Sequence, residues 1–159
     1  MIRGSLYFFS RRVLKTRHIS EGDVRTLERV IFSDGVTSRK EVEVLLHLAR
    51  RVPAADPAWA DFLVKAVVDF VVWGARPTGY VDPDTARWLI GIFGRRGPSK
   101  LTRRVAREIM REAEHVDVRL AEFAQGRIRF FLRTCLAWLT APRRAQAKFN
   151  QPNWAAAAA

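Results

Sequence analysis

The sequence has little of the chemistry that most enzymes and metal proteins need. Its 159 residues include one cysteine, which excludes an internal disulfide framework and a cysteine-rich zinc site. The three histidines, His18, His47 and His115, are never three or four positions apart, as two metal ligands on one helix would be. Phosphate-binding glycine loops and the Gly-x-Ser-x-Gly turn of hydrolases are also missing. We therefore expect a protein that is not an enzyme, uses no cofactor and has no small-molecule substrate.

Long apolar runs are missing as well. The longest, Val64 to Trp73, is interrupted by Lys65 and Asp69 and is too short to cross a bilayer. The first fifteen residues contain no acid and lack the apolar run and cleavage site of a secretory signal. We expect a cytoplasmic location with peripheral attachment at the inner membrane. The final run, Ala155–Ala159, is treated as artefactual.

What the sequence does contain is helical periodicity over most of its length, with no sustained strand alternation. This predicts an all-α fold: a compact helical bundle of two helix-turn-helix-like halves, with additional C-terminal helices and a basic N-terminal arm. Ser38 and Glu41 have the spacing of a full capping box. The last helix is predicted over 117–140, with Gly126 as a candidate break. The other predicted helix starts are Ser20, Asp56, Asp82 and Ser99.

Composition divides the chain into an arm (1–19), a helical core (20–94), basic C-terminal helices (95–140) and a tail (141–159). Within the core, an offset of 44 positions aligns one helical hairpin with the next. It places Gly35 on Gly79 and Ser38 on Asp82. Because a turn glycine, a cap and an apolar seam coincide, we predict an internal duplication.

The segment Ile31 to Leu46 resembles the motif of TerB-like (tellurite-resistance-associated) helical proteins, in which an Asp-Gly turn precedes an acidic residue and a leucine-rich helix. Val68 to Phe93 resembles it more loosely, so the similarity covers about residues 21–94. It implies a compact helical bundle and a role in membrane-associated stress or signalling assemblies of bacteria. By position, it also implies acidic metal-binding candidates at Asp34, Glu41, Asp82 and Asp84.

A calcium loop at the same place is disfavoured by its ligand positions. With Gly35 as the invariant sixth residue, Val30 and Phe32 occupy the first and third positions and offer no side-chain oxygen. In the second half, Thr78 stands where the first has Asp34, which removes one acidic ligand. The residues alone therefore predict turn and cap roles for these acids, and no metal.

The formal net charge is +12, and it lies at the two ends of the chain. Residues 1–20 carry +5, residues 21–94 carry −2, and residues 95–154 carry +9. Aromatic side chains are interleaved with the cations, which favours binding to an anionic surface or to a partner. The candidate binding residues are Arg3, Phe8, Phe9, Arg11, Arg12, Lys15, Lys100, Arg104, Arg107, Arg111, Arg127, Arg129, Arg143 and Arg144.

These features predict a non-enzymatic interaction or adaptor protein whose basic amphipathic flanks dock onto a membrane-associated or protein assembly. The alternative is a nucleic-acid-binding protein, with arginines on phosphates and aromatic rings on bases. A third hypothesis is a TerB-like metal-responsive module. A purely structural alternative is that the apolar residues of the flanks complete the protein's own core.

Overall fold

A computed structural model describes residues 3–94 and 98–126 and confirms the all-α prediction. The helices that begin at Glu21 and Pro57 each end in one π-helical turn, at Leu27–Ile31 and Asp69–Trp73. The described elements in chain order are α1 (Gly4–Thr16), β1 (His18–Ile19), α2 (Glu21–Thr26), α3 (Arg39–Arg51), β2 (Ala54–Ala55), α4 (Pro57–Val68), β3 (Tyr80–Val81), α5 (Pro83–Gly94), α6 (Lys100–Glu112), β4 (His115–Val116) and α7 (Val118–Ala124).

Four of the helix starts follow the capping rule that predicted them. The Ser20 hydroxyl accepts from the Asp23 N–H while the Asp23 carboxylate accepts from the Ser20 N–H, so this box is reciprocal. Ser99 makes the same reciprocal box, with a threonine as its partner. Asp56 and Asp82 each accept a backbone N–H of the first turn. Side chains of the right length at the right spacing therefore satisfy the free N–H groups of these helices.

The full capping box predicted at Ser38 is half wrong. The Ser38 hydroxyl accepts from the Glu41 N–H at 3.3 Å, as expected. The Glu41 carboxylate does not return to the Ser38 N–H. It accepts from the N–H and the hydroxyl of Thr37 and faces the side chain of Arg3. The carboxylate thus bonds the residue before the N-cap instead of the N-cap itself, and the charge of Arg3, from another element, balances its own charge in the interior.

The core is formed by one apolar stripe from each helix. The helix α1 packs on α3, α3 on α4, and α4 on α6, while α7 packs on α5 and α6. Apolar residues that recur every three or four positions, and that helical periodicity therefore predicts to face inward, are buried: Val24, Leu45, Leu63 and Leu89 are at most 3% exposed. The predicted arm thus contributes a helix to the bundle, since Leu6, Phe9 and Val13 of α1 are buried.

Two pairs of short parallel strands were not predicted. His18 and Ile19 pair with Ala54 and Ala55, and Tyr80 and Val81 pair with His115 and Val116. Each strand is followed directly by the N-cap of a helix, so each pair joins the starts of two helices.

The order of elements repeats: β1, α2, α3, β2 and α4 are followed by β3, α5, α6, β4 and α7. The offset between these two sets differs from the predicted 44. The first strand of each pair is offset by 62 positions, from His18 to Tyr80, and the second by 61, from Ala54 to His115. The glycines that suggested 44 do share a left-handed conformation, with φ of 75° at Gly35 and 79° at Gly79.

The helix that begins after Ser99, which apolar spacing predicts to about His115, ends three residues earlier than predicted, and the last helix is interrupted near the predicted break at Gly126. Helix α6 ends at Glu112, because His115 and Val116 are extended in β4. Helix α7 ends at Ala124, and Gly126 adopts a left-handed φ of 75°, which stops a helix. The rest of the helix predicted over 117–140 lies outside the described residues.

Candidate docking surfaces

The helix α1 has a buried face and an exposed aromatic face that meet between two neighbouring residues. Phe9 is 5% exposed and belongs to the core, whereas Phe8 is 71% exposed. Neighbouring side chains on a helix point about 100° apart, so the two rings lie on different faces. Tyr7 is also half-exposed and meets the Phe8 ring edge-on at 5.7 Å between centroids.

Three cations flank this exposed ring, and α1 contains no acidic residue. The Arg11 guanidinium lies over the Tyr7 ring at 5.8 Å. Arg12 contacts an Asp23 carboxylate oxygen at 2.5 Å, and Lys15 has no ion pair among the residues that the structure describes. Because the cations and the rings are exposed together, they form one amphipathic surface. We call it the α1 outer face, and its members are Tyr7, Phe8, Arg11, Arg12 and Lys15.

The Asp23 carboxylate partly neutralises the α1 outer face. Burial raises the pKa of this group, but hydrogen bonds from the Ser20 N–H and hydroxyl and from Arg12 outweigh burial and lower the pKa of Asp23. The carboxylate is therefore charged at neutral pH, and Arg12 contributes less free charge to the surface than Arg11 or Lys15.

Arg3, predicted as a binding residue, is engaged within the protein. Its Nε lies 3.2 Å from an oxygen of the fully buried Glu41 carboxylate. Its Nη1 donates to the Ile31 carbonyl, and its Nη2 donates to the Gly35 carbonyl at 3.0 Å. The guanidinium also lies 5.4 Å from the centre of the Phe32 ring.

These contacts attach the start of α1 to the turn before α3. The Glu41 Oε1 atom has no aligned hydrogen bond, although the Arg3 Nε is close, so the attraction at that oxygen is mainly between charges. A buried carboxylate needs such a partner, because an unpaired charge in the interior is costly. Arg3 therefore has a structural role and is not part of the α1 outer face.

The four metal candidates each have another role or position. Glu41 pairs with Arg3, and Asp34 is exposed in a turn. Asp82 caps α5, and hydrogen bonds from the Thr85 hydroxyl and backbone N–H lower the pKa of Asp82. Asp84 pairs with an arginine one turn away. Among the described residues, no three His, Cys, Asp or Glu side chains gather closely enough to hold a metal ion.

The second basic surface is the outer edge of α6, where all five cations of the helix are exposed. Their spacings of one, three and four positions place them along one side of the helix. Sequence reasoning missed Arg103, although it is three positions from Lys100 and four from Arg107. We call this surface the α6 ridge, and its members are Lys100, Arg103, Arg104, Arg107 and Arg111.

The acids of α6 lie on the flank that faces α4. Glu108 and Glu112 line an open groove of about 260 Å³ between the two helices, together with Asp61, Asp69 and the half-exposed Trp73. Two ridge cations turn toward this groove: Arg104 pairs with Asp61 at 2.6 Å, and Arg111 pairs with Glu108 at 2.5 Å. The other three ridge cations have no acidic partner in the part of the chain that the structure describes.

The remaining predicted binding residues, Arg127, Arg129, Arg143 and Arg144, lie outside the described residues. A second open groove of about 400 Å³ is lined by residues of α1, α3 and α5, among them Leu14, Lys40, Val44, His47 and Ile92.

Comparisons with known proteins give no relative from which a role could be transferred. No family model, curated protein or solved structure matches the chain. The resemblance to TerB-like proteins therefore stays a prediction. Within residues 3–94 and 98–126, none of the helices combines the length and the apolar character needed to cross a bilayer.

Proposed function

We propose that this protein is a non-enzymatic docking protein that attaches to an anionic membrane surface through the α1 outer face. The observation that carries the proposal is the exposure of Phe8 among cations on a helix with no acid. On this proposal the protein works at the cytoplasmic side of a membrane, where anionic lipids are concentrated.

Both parts of the surface contribute to such binding. An exposed aromatic ring gains free energy by moving from water to the boundary between headgroups and acyl chains. Each cation close to an anionic leaflet adds about 1 kcal/mol. Arg11 and Lys15 have no acidic partner among the residues that the structure describes, and Arg12 is partly neutralised, so the cations supply about 2–3 kcal/mol by that value.

The body of the protein supports the proposed orientation. Leu6, Phe9 and Val13 hold the opposite side of α1 against the bundle, and Arg3 attaches its start. The α1 outer face is therefore presented by a packed helix, and binding does not require the helix to fold first. Such preorganisation lowers the entropy cost of binding.

The test is co-sedimentation with vesicles of phosphatidylglycerol and phosphatidylcholine, and with vesicles of phosphatidylcholine alone. We expect binding to the anionic vesicles, with Phe8→Ser at least about tenfold weaker, since a buried aromatic ring is worth roughly 1.5–3 kcal/mol. Phe8→Arg keeps binding at low salt but loses it at 0.5 M salt, because the apolar part that resists screening is gone.

The matched control is Val30→Ser, because Val30 is also 71% exposed but lies at the end of α2. It should bind as the wild type does. If both serine variants bind as the wild type does, or if the wild type ignores anionic vesicles at low salt, the membrane proposal is wrong. If the protein binds an acidic protein partner without lipid, and Phe8→Ser weakens that binding, the ligand of the α1 outer face is a protein assembly instead.

A further inference from the structure

We propose that the α6 ridge binds the phosphate backbone of duplex DNA. This inference goes beyond membrane docking, and it concerns a different helix and a different ligand. It rests on the pairing, the spacing and the surroundings of the five ridge cations.

The free charge of the ridge is concentrated in three residues. Arg104 and Arg111 are held by acids in the groove between α4 and α6. Lys100, Arg103 and Arg107 are exposed and have no acidic partner among the described residues. Because the acids of α6 lie on the groove side, they do not oppose an anion that approaches the ridge.

The spacing of these cations suits a row of phosphates. At a rise of 1.5 Å per residue, Lys100 and Arg107 are about 10 Å apart along the helix axis, and the whole ridge to Arg111 covers about 16 Å. That length corresponds to about five base-pair steps of a duplex, in which each strand places one phosphate every 3.4 Å of axis. Over that length the two strands of a duplex present several phosphates, so cations spaced along the ridge can contact more than one of them at once.

The absence of apolar groups separates this ridge from the α1 outer face. None of the large apolar side chains of α6 is exposed: Leu101 and Met110 are half-buried, and Val105 and Ile109 are buried. A membrane surface would gain no apolar contact here, whereas a phosphate backbone requires none. Contacts of this kind recognise the charge of DNA without reading its sequence.

The position of the ridge leaves the α1 outer face available. Helix α1 packs against α3, and α6 packs against α4. The two basic surfaces therefore belong to helices with different neighbours in the bundle. Occupation of one requires no rearrangement of the other, and their ligands can be tested separately.

The test uses the full chain and a fluorescent 20-base-pair DNA duplex, with anisotropy measured between 50 and 200 mM salt. Each phosphate contact contributes about 0.9 to the slope of log affinity against log salt concentration. The triple variant Lys100→Gln, Arg103→Gln, Arg107→Gln should lower the slope by about 3. Across that fourfold range of salt, the wild-type affinity should then fall about 40-fold more than that of the variant.

The matched control removes three other exposed arginines that have no acidic partner in the described part of the chain: Arg29→Gln, Arg51→Gln, Arg76→Gln. It loses the same charge, and its slope should stay within about one contact of the wild type. Circular dichroism melting checks that both triple variants fold. Equal slopes for the two triple variants would overturn the proposal.

Vesicle binding separates this inference from the membrane proposal. The ridge triple variant should bind anionic vesicles as the wild type does, because Phe8 and its neighbouring cations are intact. If it loses vesicle binding and keeps the DNA slope, the ridge binds lipid headgroups and the DNA inference is wrong. Failure of the Phe8 variants to change vesicle binding would overturn the membrane proposal and leave the DNA inference standing.

Discussion

The helices α1 and α6 have the same length and the same formal charge but present different chemistry. Each has 13 residues and a formal charge of +3. Helix α1 reaches this value with three cations and no acid, and it exposes two aromatic rings. Helix α6 reaches it with five cations and two acids, and it exposes no large apolar side chain.

The difference shows that net charge does not describe a binding surface. On α6, two cations are neutralised by acids in the adjacent groove, and the remaining three form a purely ionic surface that salt can screen. On α1, Asp23 neutralises one cation, and an exposed ring adds a contribution that salt does not weaken. The two surfaces should therefore respond differently to the same ionic strength.

The largest expected effect tests the boundary between the two faces of α1. Phe9→Ala should lower the free energy of unfolding by about 3–5 kcal/mol, because it removes a buried ring and leaves a cavity. Phe8→Ala should change it by less than about 0.5 kcal/mol, because that ring is exposed. Urea unfolding measures both values. Similar values for the two variants would mean that α1 is not packed as described.

A second prediction compares how the two helices are attached. Arg3→Gln should lower the free energy of unfolding by about 3 kcal/mol, since it leaves the buried Glu41 carboxylate without a cation. Arg104→Gln should cost less than about 1 kcal/mol, because the Arg104–Asp61 pair is exposed and screened.

Thermal or urea unfolding at two salt concentrations checks this second comparison. The difference between Arg3→Gln and the wild type should hardly change with salt, whereas any effect of Arg104→Gln should shrink. A large, salt-independent cost for Arg104→Gln would show that the α6 attachment, too, depends on a protected ion pair.

The smallest effect concerns Asp23. The hydrogen bonds that lower its pKa stabilise the folded protein when the carboxylate is charged. The ordinary pKa of an aspartate carboxyl is 3.8, so the stabilisation is present above about pH 4 and is lost as the pH falls through the lowered pKa in the folded protein. Asp23→Asn should therefore cost about 1 kcal/mol at neutral pH, and the cost should shrink as the pH falls through the lowered pKa of Asp23.

The same substitution should strengthen membrane binding slightly. Release of Arg12 from its partner adds one free cation to the α1 outer face, which corresponds to about fivefold tighter binding to anionic vesicles at low salt. DNA binding by the α6 ridge should not change. A loss of vesicle binding in Asp23→Asn would contradict the assignment of Arg12 to that face.

Much of the fold could be predicted from local patterns. Apolar spacing placed Leu45, Leu63 and Leu89 in the core, and capping residues such as Ser20 and Asp56 marked where helices begin. These signals act within one or two turns of a helix, so a short stretch of sequence is enough to predict where a helix begins and which of its residues are buried. The two-residue strands could not be predicted, because their pairing depends on residues about 36 positions apart.

The candidate surfaces were harder to predict than the helices. Sequence spacing placed Phe8 and Phe9 together, and only the packing of α1 on α3 shows which ring is exposed. Arg3 was predicted as a binding residue because it is a cation in a basic flank. Its actual partner, Glu41, lies 38 positions away in the chain. Spacing alone could have found Arg103, whereas the pairing of Arg104 with Asp61 requires the fold.

The π-helical turn at the end of α4 has a consequence for how the protein unfolds. The helix begins beside the first strand pair, and the turn Asp69–Trp73 extends it to the second pair, where the Gly79 N–H donates to the Val72 carbonyl. One continuous backbone segment thus serves both repeated sets of elements. Loss of this segment removes support from both sets together, so the described residues up to Gln125 should melt as one cooperative unit, although their element order repeats.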